Sequence, residues 1–264
     1  VGLIEIENNG ATAVGNLVSG LNAATQPGTY AAVADPSFTG TDAIKVALIY
    51  KPGRLTLVGT AASDTDAVFS RPPVAQTFRE QASGEQFTVV VNHFKSKGSC
   101  PSDANDPNAD QGDGQGCWNA KRVEQAQALL EFIAERKAAV SDPDVLVIGD
   151  LNAYGQEDPI DTLVAGGLVN QVAAHVPLAQ RYSYIFDGMA GYLDHALASA
   201  SLSSQVTKAT IWHINADEAS VTDYNTEFKP DDRYAPTPYR SSDHDPVIIG
   251  LDLHTTVYLP MIGK

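Results

Sequence analysis

The stretch SSDHDPVIIGL, residues 241–251, decides how the chain is read. Asp243, His244 and Asp245 stand before a proline, and Val247, Ile248, Ile249 and Leu251 follow as an apolar, β-branched run that reads as a buried strand. A polar loop capping a strand accounts for one such cluster. The same arrangement recurs, however. Glu5 and Glu7 lie in VGLIEIE (1–7), Asn92 and His93 close FTVVVNHF (87–94), Asp150 and Asn152 close DVLVIGDLN (144–152), and Asp194 sits inside YLDHAL (192–197). Asp150 and Asn152 alternate with Leu151 and are expected on one face. A buried carboxylate costs several kcal/mol, on the order of what a whole hydrogen-bonded pair returns, unless it is paired or metal-bound. Convergence of five strands on one cation and a pair of histidines satisfies all these groups together.

Composition frames that reading. The chain has 264 residues, 43% of them hydrophobic, which is enough for a sizeable core. No apolar run approaches the roughly 20 residues of a membrane span. The 32 acidic and 17 basic residues leave a formal charge of −15, which weighs against a nonspecific polyanion binder and leaves room for an enzyme that meets phosphate through a cation. The two cysteines, Cys100 and Cys117, flank a Gly/Asp-rich loop and read better as one disulfide than as two free thiols, implying an oxidising compartment and a secreted protein. Asp103, Asp106, Asp110 and Asp113 in that loop make it either a Ca²⁺ loop or a solvated acidic one.

Strand-like runs outnumber helical ones. Besides those above, KVALIYKP (45–52), VTKATIWHI (206–214) and DPVIIGLDL (245–253) read as strands. Helical periodicity marks 9–25, 117–140 and 158–172, the longest with Val123, Ala126, Leu130 and Ile133 on its apolar face. Without strict alternation of strand and helix, the order favours an α+β layered sandwich in one domain over a doubly wound sheet. The Pro/Tyr/Asp-rich stretch 226–245 reads as a loop beside a site.

Oxygen ligands without a thiolate cluster suit Mg²⁺ or Mn²⁺ and chemistry at phosphate oxygens. Phosphodiester hydrolysis then needs an oriented water, a proton acceptor and donors to the developing charge, parts that Asp150, His244 and Asn152 can fill.

Six segments, GLIEIE, NHFKSKGSC, QGCWNAKRVEQA, VIGDLNAY, YLDHAL and SDHDPV, resemble in order the motifs of the endonuclease/exonuclease/phosphatase superfamily, in its branch of bacterial extracellular nucleases. The resemblance covers residue 1 to about 253. It implies a four-layer α/β/β/α sandwich of two mixed β-sheets. It makes Glu5 the main metal ligand and Asp243 a second, has Asp150 orient water and Asn152 bind phosphate, and has Asp194 hold His244. His93 would donate to a phosphate oxygen, oriented by Asp42. FSRPPVAQTF (69–78) resembles a segment of pancreatic-type deoxyribonuclease whose arginine meets phosphate, which points to Arg71; a surface arginine before a Pro-Pro turn is the plainer reading.

The same resemblance implies an earlier strand, carrying an asparagine ligand, that is not seen upstream of Glu5. The catalytic domain is therefore expected over 1–254 with its first strand lacking, its sheet completed by an N-terminal fragment or a second copy, and followed by a tail at 255–264. The expected activity is a secreted, metal-dependent nuclease acting on DNA, or on RNA. A phosphomonoesterase or lipid phosphodiesterase, or a non-catalytic binding module, are the competing expectations.

Overall fold

A computed structural model of the chain describes residues 1–222 and 237–253. The tail at 255–264 and residues 226–236 of the expected loop lie outside the described residues. In chain order the elements are β1 (Gly2–Glu7), α1 (Thr12–Ala24), β2 (Ala31–Ala32), β3 (Ile44–Tyr50), β4 (Leu55–Ser63), β5 (Val74–Glu80) and β6 (Gln86–His93). Then come α2 (Asn119–Val140), β7 (Val145–Asp150), α3 (Asp158–Ala165), β8 (Leu168–Asn170), α4 (Gln171–His175), β9 (Tyr184–Phe186) and β10 (Met189–Gly191). The chain continues with β11 (Asp194–Ser199), α5 (Ala200–Ser203), β12 (Val206–Ile211) and β13 (Val247–Leu251).

A six-stranded sheet in the order β4-β5-β6-β7-β11-β8 forms one wall of the sandwich. Only β6 and β7 run parallel, joined by the α2 crossover; the other pairs are antiparallel. On its outer face Val90, Val145, Val147 and Leu197 pack against Leu129, Phe132 and Ile133 of α2 and Ile160 and Leu163 of α3. Its inner face, through Val89, Val91, Leu146, Ala196 and Ala198, meets Val46 and Leu48 of β3, with Val247 and Ile249 of β13 at the margin. α1 covers the far side of β3 through Val14, Val18 and Leu21. Period-2 alternation on β7 and β11 thus feeds two different cores. The result is the expected layered sandwich.

The second wall is split. β1-β3-β2 forms one piece and β12-β13 another, all antiparallel, and no described strand joins β1 to β13. β1 packs over β6 and β7, and β13 over β11.

Two expectations need correcting, and two strands were not expected. The helix expected over 158–172 stops at Ala165, because Gly166 and Gly167 follow and Gly167 adopts φ +94°; residues 168–170 then pair with β11 as β8. The buried face of α2 centres on Ala126, Leu129 and Phe132 and includes Arg122 and Gln125, so Val123 and Leu130 lie at its edges. β4 and β5 were not foreseen. β4 is an edge strand with a bulge between Val58 and Ala62 and no fully buried residue, so it lacks the apolar run that marks a strand in sequence.

Candidate active site

The site lies at one end of the sandwich, where the inner face of the six-stranded sheet runs out of apolar residues. Register places His93 of β6 beside Asp150 of β7, and Asp150 beside Asp194 of β11. Residues directly opposite across neighbouring strands share a face. The three side chains therefore form one row across three strands, on the side that faces the second wall. Gly149 permits the close approach: its φ is +124°, and a Cβ there would lie 2.0 Å from the Asn92 carbonyl oxygen.

The second wall contributes the rest. The register of β1 against β3 shifts between Leu3 and Ile6, and Glu5 takes φ +56° within that bulge. Bulges re-aim side chains. Here the carboxylate swings to 4.0 Å from His93 Nε2. From the segment before β13, His244 approaches through Nδ1, 2.7 Å from Asp194 Oδ2. Asp194 Oδ2 also accepts a 2.7 Å bond from the hydroxyl of Ser183, a fully buried residue whose Oγ in turn accepts from the Leu193 and Asp194 amides.

Electrostatics separate the roles. Burial pulls the His244 imidazole down, but the hydrogen bond and charge of Asp194, with Asp150 and Asp243 behind it, outweigh burial and push it up to about 9. Burial, aided by the positive fields of Arg71 and His244, lowers His93 to about 3. His93 is thus neutral at neutral pH, with Nε2 3.6 Å from Asp150 Oδ2. The Asp150 carboxyl is pushed up, first by burial and then by repulsion from Asp194.

Several residues stand differently from expectation. Asp42 does not orient His93; its Oδ2 takes a 3.2 Å bond from Arg71 Nη1, while His93 Nδ1 is buried without a protein partner. The charged guanidinium is a stronger donor to a carboxylate than a neutral imidazole. Arg71 also donates to the carbonyls of His93 and Phe94, so it ties the 69–73 turn to the end of β6. Asn152 lies beyond the end of β7 with φ +47°, so strand alternation does not set its side chain. Its amide donates to Asp150 Oδ2 at 2.9 Å and to the Phe94 carbonyl at 3.1 Å. In this geometry Asn152 braces Asp150 and has no free amide hydrogen for phosphate.

Cys100 and Cys117 form a disulfide, Cα–Cα 5.4 Å. Within the loop they close, Asp103, Asp106, Asp110 and Asp113 each accept the backbone N–H two residues on. The carboxylates serve four separate turns, the pattern of the solvated acidic loop. A buried ionic lock anchors the loop to the site: Lys97 Nζ meets both oxygens of Glu157 at 2.7 and 2.6 Å, above the fully buried Arg122.

Sequence reasoning missed Ser183, Tyr184 and Asp245. The ring of Tyr184 lies 4.7 Å from that of His244. Asp245 is buried and accepts the amides of Ile214, Asn215 and Ala216 together with His213 Nδ1, which pins the segment carrying His244. Ser183 carries no signal in sequence; Asp245 was quoted, but nothing local tells it from its neighbour Asp243.

The donor set suits a hard cation. The negative fields of Glu5 and Asp243 both reach the Tyr184 hydroxyl, and the repulsion that raises Asp150 is the kind a bound cation relieves. Mg²⁺ is commonly held by one or two carboxylates together with water and phosphate oxygens. Among the described residues no three His, Cys, Asp or Glu side chains form a ready-made cage.

The sequence model of the Endonuclease/Exonuclease/phosphatase family matches residues 1–244. Among solved structures, the Bacteroides thetaiotaomicron VPI-5482 mannosyl-6-phosphatase Bt3783 superposes with a TM-score of 0.59 at 16% identity, over 96% of this chain and 84% of that one. D. rerio TDP2 complexed with single strand DNA product gives 0.57 at 13% identity, over 94% and 83%. The human Nocturnin catalytic domain with bound sulfate gives 0.51 at 17%, over 80% and 70%. These likenesses are of fold. No curated protein matches the chain in sequence.

Proposed function

The chain belongs to the endonuclease/exonuclease/phosphatase family and is a hydrolase of phosphoester bonds; from that premise we propose that it is a secreted, divalent-metal-dependent nuclease that cleaves DNA. The observation that carries the reading is the row His93–Asp150–Asp194 with His244 set on its end.

Glu5 and Asp243 would hold Mg²⁺ or Mn²⁺, which supplies neutralisation of charge on a phosphate oxygen. Asp150, braced by Asn152, orients the attacking water and accepts its proton as the new P–O bond forms. His244, fixed by Asp194, gives a proton to the departing oxygen as the old P–O bond breaks. His93 offers Nε2–H to a non-bridging oxygen. Arg71 has two N–H groups beyond its three protein bonds and meets the phosphate from the edge of the site. The disulfide supports an oxidising, extracellular location.

Cleavage of supercoiled plasmid with Mg²⁺ or Mn²⁺, abolished by EDTA, is the expected result. Parallel rates on bis-p-nitrophenyl phosphate, p-nitrophenyl phosphate and sphingomyelin separate this reading from a phosphomonoesterase or lipid phosphodiesterase. Silence on all four would leave the binding-module reading standing.

A further inference from the structure

The hairpin β9–β10 is two three-residue strands around Asp187-Gly188, both with positive φ, as in a two-residue type I′ turn. One of its faces is the wall of the site. Tyr184, at the base of β9, packs against His244, and its hydroxyl lies in the fields of Asp243, Arg240, Asp150 and Glu5. Gly191 opposes Tyr184 across the hairpin, and a Cβ there would lie 2.6 Å from the Tyr154 ring. The Tyr154 ring therefore lies on the same face, with Lys97 Nζ 5.4 Å from its centroid. Two residues further out on each strand, Phe186 and Met189 oppose one another and share that face by alternation. Both are exposed, at 61% and 67%.

The result is an aromatic strip, Tyr154–Tyr184–Phe186, that starts beside the phosphoryl site and climbs about 7 Å outward along the hairpin. Among the described residues, Phe186 and Met189 cover no core cluster. We propose that this strip is a stacking subsite for a nucleobase of single-stranded nucleic acid, seated on Phe186 when the phosphate beside that nucleotide lies at His244. The proposal rests on the phosphodiesterase reading for where the phosphate lies. A base has a π-face that fits such a platform whatever its sequence. A lipid surface is the less fitting occupant: the tip carries Asp187 between the two apolar side chains, and inserting them into acyl chains would draw that carboxylate out of water.

The test measures binding in EDTA, so that no substrate is consumed. The probes are a fluorescein-labelled single-stranded octanucleotide, the same octamer with abasic spacers, a 2-aminopurine octamer and neutral phosphatidylcholine vesicles. Phe186→Ala is expected to weaken binding of the octamer about 5- to 30-fold and to lose quenching of 2-aminopurine, while Phe186→Trp keeps both. The abasic octamer should bind wild type as weakly as the Ala variant binds the ordinary one. Phe186 is exposed, and an unchanged melting temperature confirms that both variants fold.

Equal binding of ordinary and abasic octamers by wild type would overturn the inference, as would full affinity in Phe186→Ala. Vesicle binding lost in Phe186→Ala, without discrimination between the octamers, would assign the strip to lipid instead. If wild type stacks 2-aminopurine yet hydrolyses no bis-p-nitrophenyl phosphate with Mn²⁺, the subsite stands and the catalytic reading falls. The reverse pattern leaves catalysis standing and removes the subsite.

Discussion

Asp194 Oδ2 lies 2.7 Å from His244 Nδ1 although fifty residues separate them, and the same oxygen accepts a hydrogen bond from the Ser183 hydroxyl. Asp194 is thereby fixed from two sides, and it fixes the imidazole in turn. Removing a positioned proton-transfer group typically costs 10²–10⁴-fold. His244→Ala and Asp150→Asn are each expected to lower kcat by about 100-fold or more on a phosphodiester. Asp194→Asn should lower kcat with little change in KM. Near-wild-type turnover in His244→Ala or Asp150→Asn would sink the catalytic assignment.

The Cys100–Cys117 bridge closes a loop that Lys97 and Arg122 hold at the Gln115 carbonyl and Asp158 holds at the Gln115 side chain. Opening it releases chain entropy worth roughly 3 kcal/mol on the loop-closure estimate. For a domain of this size that corresponds to a fall in Tm of roughly 5–10 °C on reduction or in Cys100→Ser/Cys117→Ser. Unreduced, unfolded protein should show no free thiol; two thiols would contradict the bridge. Calcium should leave Tm unmoved, because each loop carboxylate already caps its own turn.

His195 is buried with Nε2–H on the Ala153 carbonyl, and burial lowers it to about 4. Its pKa in the unfolded chain is near 6.5. Above that pH neither state is protonated and the group is neutral to stability. Below it the unfolded chain takes up a proton that the folded one refuses, so stability falls from pH 6.5 down to about 4. The loss from this one residue approaches about 3 kcal/mol. His93 adds in the same direction. His195→Gln, compared with wild type in urea melts from pH 7.5 to 4.5, should show a markedly shallower decline; an identical slope would refute the assignment.

The edges of β1 and β13 that face one another have no described strand between them, and Ile4, Val247, Ile249 and Leu251 beside them are only partly buried. Such edges are templates for pairing. Covering those side chains recovers on the order of 1.5–3 kcal/mol for each that becomes fully buried. An added strand-forming segment upstream of Val1 is therefore expected to raise Tm and to tighten Mg²⁺ binding at neighbouring Glu5. A second copy filling the same place would show in sedimentation as a dimer that the added segment dissolves. No change in Tm, metal affinity or mass on adding the segment would show that the split is a stable edge.

Much of the sandwich was legible because alternation and β-branching are local properties. The runs ending in His93, Asp150 and Asn152, the run containing Asp194 and the one following His244 stood out for their polar residues among apolar neighbours. Other elements were hidden for physical reasons. β4 is an exposed edge with no apolar run to display, and the helical pattern over 158–172 concealed a Gly-Gly stop. The hairpin β9–β10 carried a readable signal in Asp187-Gly188, overlooked because its strands are only three residues long and bury no core.

What the sequence by itself determined is which side chains stand at the ends of which strands, since that follows from spacing along one segment. Which partner each of those side chains takes was decided only in three dimensions. Asp42 was expected on His93 and lies on Arg71; Asn152 was expected on phosphate and lies on Asp150; Asp245, next to His244, is instead the buried anchor of the 213–216 loop. A carboxylate or amide binds whichever donor or acceptor the fold brings within about 3 Å. Which one arrives depends on strand register, on the bulge at Glu5 and on the crossing of segments dozens of residues apart, and no local pattern records those.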